Sequence, residues 1–176
     1  MTSFYFIRHG EPDYESIGEW SKVPFGREFA GLTENGVSQI YDAIFELRKF
    51  SPQIVITSPY TRSMQGAAMI SRALDIPLFV ERDLHEWDSD KTHKVSDSEV
   101  LTGLCNDFDL CGGVYSDGVE KQWESRPMVE ERVLKVLEKY LNYETVVVCG
   151  HAIMMQSVTG INRPFEYGEI VKWEMR

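Results

Sequence analysis

The chain alternates between short, wholly apolar runs and longer stretches in which apolar residues recur every three or four positions. Phe4-Tyr5-Phe6-Ile7 is the first such run, stopped by Gly10 and Pro12, the pattern of a buried strand. Glu34 to Phe50 follows a helical period, with Thr33 as N-cap and Val37, Ile40, Tyr41, Ile44, Phe45 and Leu47 as its apolar stripe. Ser51-Pro52 ends that helix, and Gln53 to Thr57 reads as a second buried strand. Ser58-Pro59 has the form of an N-cap followed by proline in the first helical position, opening a helix to about Leu74, before Pro77. Leu78-Phe79-Val80 predicts a third, shorter strand. Met128 to Tyr140 predicts a helix, Thr145 to Cys149 a strand closed by Gly150, Ala152 to Thr159 a helix ending at Gly160, and Glu169 to Trp173 a last strand.

Strands alternating with helices predict an α/β three-layer sandwich, a mostly parallel central sheet flanked by helices. Two stretches break the alternation. Residues 11 to 32 hold Gly, Pro and aromatic residues without periodicity and read as a long loop. Residues 88 to 124 turn polar, with Gly112-Gly113 and Asp117-Gly118 as breakers; inside them Ser96-Asp97-Ser98-Glu99 has the capping-box form for one helix reaching Phe108. That stretch reads as a cap insertion packed over one end of the sheet within a single domain, residues 1–176. There is no internal repeat.

Composition narrows the class. A chain of 176 residues that is 43% hydrophobic can fill one core, which excludes a disordered acidic tail. The net charge of −10 and pI near 4.9 argue against a nucleic-acid partner, which requires a basic face. Cys105, Cys111 and Cys149 are odd in number and lack metal-type spacing, so a reducing compartment is expected. No apolar run approaches a membrane span, and the stretch before Arg8 is too short for a signal peptide. The expectation is a soluble cytoplasmic protein; oligomeric state is not readable.

Candidate chemistry gathers where α/β sheets bind ligands, beyond the carboxyl ends of the strands. The first strand runs into Arg8-His9-Gly10, the late strand into Gly150-His151, and the second into Ser58 with Arg62 one turn further. Two imidazoles and two guanidiniums near a helix N-terminus make a phosphate site in charge and geometry. Any one of these residues alone reads as structural; each opening a turn after an apolar strand is what carries the signal. Zinc is the weaker alternative, because no third ligand stands at suitable spacing and two Arg would repel a cation.

These residues resemble the histidine phosphatase superfamily, which includes the phosphoglycerate mutases. The matching pieces are Phe6-Ile7-Arg8-His9-Gly10-Glu11, Leu32-Thr33-Glu34-Asn35-Gly36, Ser58-Pro59-Tyr60-Thr61-Arg62-Ser63-Met64-Gln65-Gly66-Ala67, Leu84-His85-Glu86-Trp87 and Val146-Val147-Val148-Cys149-Gly150-His151. The resemblance implies His9 as the nucleophile that becomes phosphohistidine. It implies Arg8, Arg62 and His151 as holders of the phosphoryl oxygens, and Glu86 as the acid that protonates the leaving oxygen and then activates water. No metal and no cofactor are implied, since fixed Arg charges can stabilise the transferred group.

Departures shift the reading within the family. Many mutase-like members carry Thr or Ser four residues after the motif Arg and Asn three further on, where this chain has Pro12 and Glu15. Gly66 stands where Thr is common, and Ala152 follows His151 in place of Asp. Glu86 is therefore the preferred donor, with Glu11, Asp13 and Asp83 as substitutes. The leading expectation is a metal-independent phosphomonoester hydrolase acting on a small phosphorylated metabolite or phosphoprotein. A phosphoglycerate mutase-type isomerase and a non-catalytic phosphate-binding module are the alternatives. His85 is expected to point away from substrate, His93 to be solvated, Cys149 to be a small core residue, and Trp20, Phe25 and Trp123 to pack the loops. Substrate identity is left to residues 11 to 32 and to the insertion.

Overall fold

The computed structural model describes residues 1–175. Five strands, β1 (Ser3–Arg8), β2 (Ile54–Thr57), β3 (Leu78–Val80), β4 (Thr145–Gly150) and β5 (Ile170–Glu174), form one sheet in the order β3-β2-β4-β1-β5. The first four are parallel, and β5 runs antiparallel along the outer side of β1. The helices are α1 (Glu34–Leu47), α2 (Thr61–Leu74), α3 (Ser98–Leu110), α4 (Arg126–Leu137) and α5 (Ala152–Thr159). Among the described residues no helix is long and apolar enough to cross a membrane.

The uninterrupted apolar runs of β1, β2 and β4 are explained by burial on both faces. Phe4, Phe6, Ile54, Ile56, Val146 and Val148 face α4 and α5, whose Val129, Val133, Met154 and Met155 pack on them. Tyr5, Ile7, Val55, Val147 and Cys149 face the other way, onto Ile40, Ile44 and Leu47 of α1 and Ala67 and Ile70 of α2. The three layers expected from the alternation are therefore present, and Cys149 is a core residue.

Several boundaries differ from the sequence expectation, each for a local reason. In α1 the buried face is Ile40, Ala43, Ile44 and Leu47, whereas Tyr41 and Phe45 are 61% and 69% exposed. At 100° per residue each lies one step past Ile40 or Ile44, beyond the face that meets the sheet. Ser58-Pro59 does not cap α2, which begins at Thr61 with Tyr60 as N-cap; Ser58 Oγ accepts from Tyr60 N at 3.2 Å and lies 2.7 Å from His151 Nε2. In α3 the cap is Asp97, accepting from Glu99 N and Val100 N, and the helix runs two residues past Phe108. α4 starts at Arg126, capped by Ser125, with Pro127 tolerated in its first turn.

Residues 11 to 32 are not featureless. They carry two 3-10 turns, Gly18–Lys22 and Gly26–Phe29, and a bridge between Pro12 and Leu32. Gln65 of α2 accepts from Leu32 N at 2.9 Å and ties this segment down. Trp20 stays largely exposed, contrary to the packing expected of it, and meets the exposed Phe29 edge-on, whereas Phe25 packs on His93 of the insertion. Trp123 is fully buried as expected, against Phe108, which also packs on Trp87 and so joins the insertion to the body. Asp90 organises the start of the insertion. Burial pushes its carboxyl up, but hydrogen bonds from Thr92, Gln122, Lys94 and Val95 outweigh that and hold it well below the usual range.

The two faces of α1 should separate cleanly in stability. Ile44→Ala should cost about 2–5 kcal/mol through the cavity it leaves, and Phe45→Ala about 0.5 kcal/mol or less. Denaturant melts of the two variants check this, and comparable losses would mean that the buried face is misplaced.

Candidate active site

The parallel register sets Arg8 opposite Gly150, so the residues that follow, His9 and His151, leave the sheet side by side. His9 N donates to Gly150 O at 3.0 Å, extending the ladder one step. The backbone beyond His9 is fixed by a close approach of two glycines: a Cβ on Gly10 would stand 2.2 Å from Gly36 O. A Cβ on Gly36 would in turn stand 2.3 Å from Glu11 O, which accounts for the glycine that ends the Leu32–Gly36 motif. Thr33 of the same motif caps α1, accepting from Gly36 N at 2.9 Å.

His9 is buried and oriented from both ring nitrogens. Nδ1 lies 2.7 Å from Gly10 O, and a carbonyl can only accept, so Nδ1 carries the proton. Nε2 keeps its lone pair and accepts from Arg62 Nε at 3.2 Å. Burial lowers its pKa from 6.5 to about 3, helped by the Arg62 and Arg8 charges. His151 is fully buried, 5.2 Å from His9 between ring centres, with Nε2 2.7 Å from Ser58 Oγ and 3.4 Å from Ser63 Oγ. Burial and then Arg62 hold it well below its ordinary value, and its Nδ1 has no partner. Two neutral imidazoles thus flank one buried guanidinium.

Arg8 stands beside this cluster. Its guanidinium lies over the Tyr167 ring at 4.0 Å, Nη1 donates to Phe165 O at 2.5 Å, and Nε is buried without a partner. Tyr167 in turn lies 5.6 Å from the His9 ring. Glu86 is placed differently from the others. Its carboxylate accepts from Met154 N at 2.9 Å, Ile153 N at 3.3 Å and Trp87 N at 2.9 Å, so it caps the first turn of α5, the helix that His151 opens. Arg132 of α4 fixes that segment, donating to the carbonyls of Asp83, His85 and Glu86 while pairing with Glu124.

The substitute acids are engaged elsewhere: Glu11 accepts from Thr33 and Asn35, Asp13 from Ser16 N, and Asp83 pairs with Arg82. His85 and His151 lie 6.4 and 5.1 Å from the Tyr60 ring, and His93 packs on Phe25 at 4.7 Å. Among the described residues His85, Asp88 and Glu124 offer ligand atoms within 4.8 Å of one another. His85 Nδ1 already donates to Glu86 O at 2.7 Å, and Glu124 is held by two nitrogens of Arg132, so these donors are committed to the hydrogen-bond network.

The sequence reading missed Glu28, whose Oε2 lies 2.6 Å from Arg62 Nη1, and it missed Ser58, Tyr167 and Arg132. Ser58 lies in the Ser58–Ala67 motif, where the Ser-Pro pair has the form of a helix cap. Glu28 and Tyr167 lie in aperiodic segments that carry no local signal, and Arg132 reads as an ordinary surface charge on a helix. A cleft of about 360 Å³ opens between the 11–32 segment and the insertion, lined by Tyr14, Phe25, Glu28, Tyr60, Trp87 and His93. A larger cavity, about 960 Å³, lies near Met1 and Trp173, away from both histidines.

The fold is an α/β sandwich that gathers two buried histidines of lowered pKa and two arginines near the carboxyl ends of parallel strands. The chain belongs to the histidine phosphatase superfamily (branch 1), whose family model matches residues 4–170. It is similar in fold to YhfR of Bacillus stearothermophilus, with a TM-score of 0.76 and 17% identity, covering 100% of this chain and 92% of that one. It is also similar to a mycobacterial glucosyl-3-phosphoglycerate phosphatase, at a TM-score of 0.73 and 14% identity over 98% and 89% of the two chains. A Saccharomyces cerevisiae protein, the transcription factor tau 55 kDa subunit, is 22% identical over 153 residues, 82% of this chain. The chain spans 33% of that protein's length.

A buried neutral histidine makes stability depend on pH in a definite sense. The unfolded chain protonates His9 near 6.5 while the folded chain does so only near 3, so stability falls as pH drops through that window. His9 alone should remove about 2 kcal/mol between neutral pH and about pH 5. Urea melts of wild type and His9→Asn at the two pH values should show the smaller loss in the variant; equal losses would mean that His9 is charged or exposed in the folded state.

Proposed function

We propose that this chain is a metal-independent phosphomonoester hydrolase working through a phosphohistidine on His9. The observation that carries the reading is the orientation of His9: Nδ1–H is spent on Gly10 O, and the Nε2 lone pair points at the guanidinium that would hold the phosphoryl group. Nε2 attacks phosphorus, the N–P bond forms, and the P–O bond to the leaving alcohol breaks. Arg62, Arg8 and His151 stabilise the equatorial oxygens, and Glu86 gives its proton to the leaving oxygen. Water then attacks the phosphohistidine, Glu86 takes its proton, the N–P bond breaks, and inorganic phosphate departs. Two easier steps replace one difficult displacement.

The substrate is proposed to be a small phosphorylated metabolite or a phosphoprotein, and the cleft beside Arg62 to take its leaving group. The glucosyl-3-phosphoglycerate phosphatase of similar fold is consistent with a phosphomonoester. A net charge of −10 supports no nucleic-acid partner, and three free thiols support a cytoplasmic setting. A mutase-type isomerase would return the phosphoryl group to product, so release of inorganic phosphate separates the two. The likeness to a transcription factor subunit favours one further reading, a non-catalytic phosphate-binding module, which would saturate without turnover.

Brief incubation with a labelled substrate should leave phosphate on His9, stable to base and labile to acid, and chelators should leave the rate unchanged. Label on Cys149 or Ser58, or turnover that needs an added metal, would contradict the mechanism. Glu86→Gln should slow hydrolysis of alkyl phosphates about 10²–10⁴-fold, since an alkoxide leaves poorly without a proton. A nitrophenyl phosphate should instead give a burst of nitrophenol followed by slow turnover. Equal loss in the first step for both leaving groups would make Glu86 only the cap of α5.

A further inference from the structure

The guanidinium assigned to the phosphoryl group already has a carboxylate on it. Glu28 Oε2 lies 2.6 Å from Arg62 Nη1, and both side chains are largely withdrawn from water. Oε2 is buried and accepts no aligned N–H, so the contact is charge against charge. The carboxylate is delivered by a built turn. Phe25 adopts a left-handed conformation at φ 61°, the Gly26–Phe29 turn follows, and Glu28 N and Ala30 N donate back to Phe25 O and Arg27 O. Arg62 Nη1 also reaches Arg27 O at 3.5 Å, so α2 and the turn meet at this point.

The groups facing Glu28 are Arg62 of α2, Arg27 of its own turn, Glu86 from the segment after β3, and the Tyr60 hydroxyl, with His9 behind Arg62. Resting on the anion-site reading above, we propose that Glu28 is a proton-linked gate and specificity residue of the phosphoryl subsite. Ionised, it occupies Arg62 and competes with an entering anion. Protonated, it releases Nη1 to a phosphoryl oxygen and donates its own O–H to the same group. Burial, and then the Glu86 charge, push the Glu28 carboxyl above its ordinary value against the pull of Arg62, which brings the switch toward working pH. Binding of a dianion therefore takes up a proton, and affinity declines as pH rises through the Glu28 pKa.

Sulfate is the probe, because it remains a dianion across the range and is not turned over. Calorimetric titrations compare wild type, Glu28→Gln and Glu28→Ala, with Arg62→Ala to locate the binding and thermal melts to confirm folding. Wild-type affinity should fall by up to about tenfold per pH unit above the Glu28 pKa, more steeply than in either Glu28 variant. Any slope left in the variants belongs to His9 and His151. Above the Glu28 pKa both variants should bind sulfate more tightly than wild type, by a margin that widens as pH rises. Sulfate binding that depends on Arg62 but is equal in affinity and slope across the Glu28 series would overturn the gate and leave the anion site standing. No binding to wild type or to either variant would overturn both.

Discussion

The Nε–H of Arg62 pointing at Nε2 of His9, in a space closed to water, is the contact on which the site's chemistry depends. It has meaning only while the imidazole is neutral and its other nitrogen is protonated. Burial supplies the first condition, because a charged ring in that place would lose its hydration without gaining an anion. The Gly10 carbonyl supplies the second. In the proposed mechanism the guanidinium serves twice, holding the nucleophile in aim and providing the charge that a transferred phosphoryl group needs. His151, neutral for the same reason and steadied by Ser58, completes a pocket whose fixed positive charge comes from arginine.

That contact depends on packing remote from it. The register of β1 against β4 brings two residues far apart in sequence to one place, and both strands are buried on both faces, which makes slippage costly. Gly10 against Gly36 fixes the exit of β1, and Gln65 holds the following loop to the helix that carries Arg62. On the other side of the sheet, Arg132 grips the backbone carbonyls of Asp83, His85 and Glu86 and so places Glu86 at the start of α5. The insertion is joined to this body through Trp87, Phe108 and Trp123, which sets its face along the mouth of the cleft.

Much of this was legible in the sequence because it is encoded locally. Apolar runs that end in Arg-His-Gly or Gly-His declare both a buried strand and a turn at its carboxyl end, and the helix periods give the layers. What escaped was set by tertiary contact. Tyr41 and Phe45 look like core on a helical wheel, yet the sheet meets α1 over a narrower face. Ser58 has the form of a cap and accepts from Tyr60 N, but its contact with His151 depends on a distant strand. Glu28 comes from a stretch without period or motif, so nothing short of the folded loop shows that it stands on Arg62. That residue also changes the character of the site, from a simple cluster of positive charge to one that a carboxylate already shares.

The protonation state of His9 tests this account most directly. With the imidazole nitrogens labelled with nitrogen-15, the ring of His9 should show a protonated Nδ1 and an unprotonated Nε2 at neutral pH. That pattern should persist well below the usual histidine midpoint, since the pKa is lowered to about 3. An imidazolium at neutral pH, or a ring protonated on Nε2, would leave no lone pair facing Arg62 and would contradict the nucleophile assignment.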